Sequence, residues 1–396
     1  MSEAAAPVHY RIRPEDPGGH LFRVWCTVAA PDPAGQVFTL PAWIPGSYMV
    51  RDFARHVVTL EARAGGEPVA VEKLDKQTWR CAPCAGPLTV DCRVYAWDLS
   101  VRAAHLDTTH GYLNGTCVFL RPAGRDDGLC TVDLEPGAHP ACRDWRVATA
   151  LPRAGAPAWG FGRYRAADYA ELVDHPVEMG HFTLVPFTAG GVPHALALSG
   201  RARADTRRLA ADLGRICEQH IALFGAPPPM ERYLFLLTVV GDGYGGLEHR
   251  ASSSNLCARR DLPLPGRREQ GERYRGLLGL LSHEYFHAWN VKRITPAAFA
   301  PPDLIREVHT TLLWAFEGIT SYYDDLALVR SGVIEPEDYL RLLGQTATRV
   351  YRGSGRHLQS VAESSFDAWT RFYKQDENAP NAIVSYYAKG ALVALA

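Results

Sequence analysis

The feature that most constrains this chain is a change of texture part-way along it. As far as about residue 165 the sequence runs in short stretches, such as Leu21–Val28, Val37–Leu40, His56–Ala62 and Pro87–Val94, in which apolar and polar residues alternate. Turns such as Pro31-Asp32-Pro33 and Ala64-Gly65-Gly66 separate them. Alternation at a period of two buries one face of a strand and wets the other, so this half predicts an antiparallel β-sandwich. Beyond it, Phe182–Pro186 and His194–Leu198 read as strands, and Asp205–Phe224 has helical periodicity stopped at Gly225. Pro227-Pro228-Pro229 breaks the chain before an apolar strand over Tyr233–Val240. From Gly271 onward the pattern is helical: Gly271–Asn290, Val308–Arg330, Pro336–Tyr351, and a last helix opening near Ala382. The Gly/Ala/Pro-rich stretch Arg153–Arg163 marks the boundary. The expectation is an α+β chain, with a β-sandwich over 1–160 and a second domain over 161–396. The second domain divides into a β part (161–260) and a helical part (261–396).

Composition narrows the function classes. At 396 residues and 47% hydrophobic, the chain is long enough for two or three domains with their own cores, and disorder is excluded. With 42 Lys+Arg against 43 Asp+Glu there is no basic footprint for nucleic acid or an anionic membrane. No run of about 18 apolar residues suggests a spanning helix. Met1–Leu21 carries Arg11, Arg13, Glu15 and Asp16 and no apolar core, so no secretory leader is expected. Nine cysteines, mostly single among apolar neighbours like Cys26 and Cys217, fit reduced thiols and a cytoplasmic location. Cys81-Ala-Pro-Cys84 has no second Cys or His pair at zinc-ribbon distance and reads as a turn. His105 and His110 flank Asp107, a spacing of five in strand texture that builds no ligand face, and they read as surface histidines.

Chemistry enters at residues 283–287, His-Glu-Tyr-Phe-His. On a helix, positions i and i+4 lie on one face, so His283 and His287 can present nitrogens to one metal ion. Glu284 then lies beside the first ligand, where a general base for a metal-bound water belongs. Two imidazoles suit zinc, and a catalytic tetrahedron needs one more protein ligand and a water. Leu277, Leu278, Leu280 and Leu281 precede the motif, making it a buried helix on which polar His-Glu-His is costly without a partner. A satisfied structural cluster is the bland alternative. Thirty residues on, Glu317 stands in the apolar run Leu-Leu-Trp-Ala-Phe-Glu-Gly-Ile-Thr-Ser-Tyr-Tyr, where a carboxylate needs a cation. It is the candidate third ligand, with a salt bridge to Lys292 or Arg293 as the other reading.

Taken together these blocks resemble a known family. His-Glu-Tyr-Phe-His-Ala-Trp-Asn-Val-Lys-Arg (283–293), Glu-Gly-Ile-Thr-Ser-Tyr-Tyr (317–323) and Ser-Tyr-Tyr-Ala-Lys-Gly-Ala-Leu are similar to the glycyl aminopeptidases. Those are gluzincin metallopeptidases with an N-terminal β domain, a thermolysin-like catalytic domain and often a PDZ domain. The blocks from Trp43 to Arg55 and from Tyr95 to Arg102 fit the same family. The resemblance implies one Zn²⁺ held by His283, His287 and Glu317, with Glu284 as base and peptides as substrates. It also implies cleavage at the N-terminal peptide bond, with small residues such as glycine or alanine preferred.

Gly-Gly-Leu-Glu-His (245–249) resembles the glycine-rich exopeptidase loop of the wider clan. Gly245 and Gly246 would let a substrate backbone approach an edge strand, and Glu248 would pair with a free α-ammonium. A plain turn with a solvated Glu is the alternative. Tyr387 falls in a block that resembles the one carrying the transition-state tyrosine in aminopeptidase N relatives; its neighbour Tyr386 points about 100° away on a helix. The family's remaining helices and PDZ domain do not occur in this sequence, and the last helix runs to Ala396 uncapped, which reads as a piece of a longer protein. An endopeptidase with the same site, or a chaperone-like peptide binder, are the competing functions.

Overall fold

The computed structural model describes residues 7–267 and 271–396, so the first six residues of the segment read for a leader lie outside it. The chain forms two compact units, Met1–Ile44 with Arg51–Phe182, and Pro45–Val50 with Thr183–Ala396. The organisation is α+β, with strands dominating the first unit and helices the end of the second.

In the first unit, alternation in the sequence becomes alternation in burial. Val8, Tyr10 and Ile12, then Phe22, Val24, Cys26 and Val28, then Leu88, Val90, Cys92 and Val94, all point into the core. Their strands join a seven-stranded sheet in the order 162–166, 130–134, 8–16, 21–28, 88–95, 57–64, 67–69. Only Val8–Asp16 and Cys130–Leu134 run parallel within it. Two four-stranded sheets complete the unit, so the sandwich expectation becomes a three-sheet arrangement. The division falls at Phe182 and not near residue 160. The reason is strand pairing: Gly162–Ala166 pairs with Cys130–Leu134, and Val177–Gly180 lies between His110–Leu113 and Arg146–Thr149. All nine cysteines are unpaired, and Cys81 ends the strand Thr78–Cys81.

The second unit has a five-stranded sheet in the order 182–189, 192–199, 233–240, 252–258, 245–248. The central strand Tyr233–Val240 is parallel to both neighbours, and the last strand is an antiparallel edge. Its longest helices among the described residues are α1 (Thr206–Phe224), α2 (Glu272–Phe286), α3 (Ile319–Arg330), α4 (Pro336–Arg352) and α5 (Tyr386–Leu395). Asp205 caps α1, its carboxylate accepting from Arg208 N–H at 3.0 Å, a contact worth about 1 kcal/mol. Gly225 ends it with φ 96°. Leu277, Leu278, Leu281, Tyr285 and Ala288 lie on one side of α2 and in its continuation, packed into the same core as the sheet and α1. That stripe fixes the helix's rotation, turns His283 and His287 away from the core and leaves Glu284 at the stripe's edge. The last helix begins at Tyr386, capped by Ser385, later than the expected opening near Ala382. Among the described residues no helix is long and apolar enough to cross a membrane.

Candidate metal centre

The side of α2 away from the core carries the motif. Nε2 of His283 lies 3.4 Å, and Nε2 of His287 3.2 Å, from the same Oε2 of Glu317. Ligand atoms bound to one ion at about 2.0–2.2 Å in a tetrahedron stand about 3.3–3.6 Å apart, whereas a charge-assisted hydrogen bond favours about 2.7–2.9 Å. The spacing is that of a tetrahedron's edges, and the three residues fit a zinc-type ion. The side chains of His287 and Glu317 are each 2% exposed. The Arg293 guanidinium, the other reading for a partner of Glu317, donates to the carbonyls of Arg250, Ala288 and Pro229.

The other ring nitrogens are anchored. His283 Nδ1 meets Asp324 Oδ2 at 2.9 Å, and His287 Nδ1 meets the Asn290 carbonyl at 2.7 Å. This fixes each ring with its Nε2 turned to the ion position. Asn290 works at both ends, since its amide also donates to the carbonyls of Ala315 and Phe316 and so ties the end of the α2 motif to the turn carrying Glu317. That turn, Trp314–Gly318, is π-helical, where the sequence predicted plain α-helix from Val308. Sequence reading also missed Asp324. It lies seven residues, two helical turns, after Glu317, which is the spacing that shares a face.

Electrostatics agree. Burial pushes Glu317 upward, but the imidazoles of His287 and His283 overcome it and hold the carboxyl at about 2. Burial alone would depress His283; Asp324 and Glu317 instead raise it well above its ordinary value. Burial, with help from Glu248 and Glu317, lifts Glu284 to about 7 against the two histidines. Burial likewise raises Glu248. Several buried carboxylates around two imidazoles are a site that a divalent cation would satisfy.

The remaining expected residues converge on the same place. Gly245–Glu248 is the edge strand, with Gly245 opposite Leu256 and Gly246 opposite Asn255. A Cβ at Gly246 would overlap the Glu284 carboxylate, so this strand and α2 touch through a glycine. Glu248, Glu284 and His287 bring one ligand-type atom each within 4.8 Å of one another. Glu248 Oε1, Glu284 Oε2 and the Tyr386 hydroxyl are buried without a protein hydrogen-bond partner. Gly318 and Gly390 bring the π turn and α5 into backbone contact, which sets the two tyrosines beside the site. The Tyr387 ring lies 6.3 Å from the His283 ring and its hydroxyl 3.4 Å from that of Tyr373. Tyr387 is half-buried; Tyr386 is fully buried.

Segment Pro45–Val50, part of the family-like block from Trp43 to Arg55, supplies two residues that the sequence does not single out. Tyr48 is 1% exposed, and its hydroxyl donates to Glu317 Oε1 at 3.5 Å. Gly46 has φ +93°, and a Cβ there would stand 2.5 Å from both oxygens of Glu248, so glycine is needed for conformation and for space. His105 and His110 are not the surface pair expected: His105 is 5% exposed, and their rings stand 5.0 Å apart.

No curated protein matches the chain. Among solved structures, an aminopeptidase N family protein from Idiomarina loihiensis is 47% identical with a TM-score of 0.96. The match covers 98% of this chain and 65% of that one, so the chain spans about two-thirds of its relative's length. The M1 zinc metallopeptidase from Deinococcus radiodurans is 15% identical with a TM-score of 0.55, over 98% of this chain and 81% of that one. A mutant of that enzyme bound to a Tyr-Ser-Ala substrate gives 0.53 at the same identity and coverage. At this identity the likeness is one of fold. The M61 N-terminal domain model matches residues 9–181 and the M61 glycyl aminopeptidase model residues 276–393, together more than half of the chain, and the chain belongs to the M61 family of peptidases.

Proposed function

We propose that the chain carries the active site of a zinc aminopeptidase that removes small N-terminal residues from peptides. The observation that supports this most is the convergence of His283 Nε2, His287 Nε2 and Glu317 Oε2 at 3.2–3.4 Å, with both Nδ1 atoms anchored behind them. Zinc held there would supply Lewis acidity, polarising the scissile carbonyl and acidifying water in the site.

The protein's own groups do the rest. Glu284, buried and lifted to about 7, takes a proton from the attacking water and returns it to the leaving amine. Tyr387 donates its hydroxyl to the oxyanion that develops at the carbonyl. The edge strand Gly245–Glu248 receives the substrate backbone as an added strand. Glu248 pairs with the free α-ammonium, which makes the enzyme count from the N-terminus. The preference for glycine follows the family's name.

The test is hydrolysis of a glycyl chromogenic amide and its N-acetylated counterpart by zinc-loaded protein. Cleavage of the free amine alone supports the reading. Equal cleavage of both makes Glu248 structural and the enzyme an endopeptidase. Peptide binding without turnover in the zinc-loaded protein makes it a binding protein.

A further inference from the structure

The hairpin histidines form a second constellation that the proposed catalysis does not use. Strands Ala104–Leu106 and His110–Leu113 pair with His105 opposite Tyr112, and Val177–Gly180 pairs beyond them with Glu178 opposite Tyr112. Directly opposed residues share a face, and His110 lies two positions before Tyr112 on the same face. The register therefore brings His105, His110 and Glu178 together although 73 residues separate the first from the last.

The turn supplies a fourth group. Asp107 spends Oδ1 on the N–H groups of Thr109 and His110 and on the Thr109 hydroxyl, which rigidifies the turn. Its Oδ2 faces His105 Nε2 at 3.4 Å. That is again a tetrahedron's edge and a poor hydrogen bond. His105 Nδ1 is buried and has no hydrogen-bond partner, so neither nitrogen of this ring is well satisfied by protein. Glu178, its side chain 2% exposed, holds His110 Nδ1 at 3.0 Å. Asp324 holds His283 in the same way, and the consequence is the same: Nε2 is left as the ligand atom. One ligand-type atom each from His105, Asp107 and His110 lies within 4.8 Å of the others.

We propose that His105, Asp107 and His110 bind a second divalent ion of the zinc type, with Glu178 as the residue that orients His110. Two imidazoles and one carboxylate are a donor set for zinc or cobalt and not for calcium or magnesium, which take oxygen ligands. The Asp107 side chain is 28% exposed, which leaves a coordination position open to water. The ion would clip the 107–109 turn to its sheet and stabilise the fold by mass action.

The test uses the whole chain, stripped with chelator and titrated with Co²⁺. Two equivalents of visible absorption are expected. The double variant His283→Ala/His287→Ala keeps one, and adding His105→Gln and His110→Gln removes it. In the same background Glu178→Gln weakens the retained site about 10–100-fold. No cobalt bound by His283→Ala/His287→Ala, or an equivalent that survives loss of His105 and His110, overturns the proposal. A measurement that needs no variant is anomalous diffraction at the zinc edge from wild-type crystals soaked in zinc. A peak between His105 and His110 supports the site, and a peak at His283 alone overturns it.

Discussion

The two histidine clusters use the same parts on different scaffolds. Each has two imidazoles, one carboxylate at tetrahedral-edge distance and an acid behind one ring, Asp324 for His283 and Glu178 for His110. They differ in what surrounds the ion position. Around His287 stand Glu248 and Glu284, each with a buried carboxylate oxygen that has no protein hydrogen-bond partner. The hairpin offers an exposed Trp97 stacked on His105 at 4.8 Å. A base and unpaired acceptors turn an ion site into a reaction site; without them it can only hold the ion. The comparison breaks most sharply with His287→Ala. The variant should lose the central ion and all hydrolysis of the glycyl amide, while His110→Gln should leave kcat within about twofold and alter only metal content. Loss of activity in His110→Gln would merge the two roles.

Next in size is the base itself. Glu284→Gln preserves shape and leaves every ligand in place, so zinc content, read by atomic absorption, should stay unchanged. The rate should fall about 10²–10⁴-fold, the usual worth of a positioned proton-transfer group. An undiminished rate would move the base elsewhere among the buried acids, with Glu248 next in line.

The same contrast explains what was legible in the sequence. A helix writes its geometry locally: His283 and His287 share a face because they are four apart, and Glu317 stands out as an acid in an apolar run. Leu21–Val28 was readable to the residue because burial on a half-buried strand follows local alternation, and Tyr233–Val240 because a central strand covered on both faces is a continuous apolar run. His105, Asp107 and His110 were in view together, but their burial and the Glu178 behind His110 depend on register between Ala104–Leu106, His110–Leu113 and Val177–Gly180, which no spacing in one chain segment encodes. Tyr48 was missed likewise. Nothing local marks it, and only the fold carries residues 45–50 into the second unit, where Tyr48 meets Glu317.

The supporting acids provide a finer comparison. Asp324→Asn keeps a group within reach of His283 Nδ1 but removes the charge that favours a donor ring and a basic Nε2. Zinc affinity should fall about 10–100-fold, measured by competition with a chromogenic chelator, with kcat restored at saturating zinc. If affinity is unchanged, the carboxylate is decorative and the parallel with Glu178 loses its footing.

His220 shows what a buried imidazole does when no acid stands behind it, and its cost to stability vanishes at neutral pH. His220 is buried, with Nε2 on the Ser282 hydroxyl at 2.8 Å. Burial, reinforced by the neighbouring His283, pushes it down to about 3. The unfolded chain binds a proton at this residue near pH 6.5, and the folded chain does not until about pH 3. Between those values the unfolded state holds more protons, so stability is present in full above pH 6.5 and is lost as pH falls toward 3. From pH 8 to pH 5 the loss from this group is about 2 kcal/mol. His220→Gln can keep a hydrogen bond to Ser282 and has nothing to titrate. Urea unfolding at the two pH values should therefore show a smaller acid loss in the variant by about that amount. An identical loss would mean that His220 is already charged in the fold, and that burial without a carboxylate does not keep a histidine neutral in this protein.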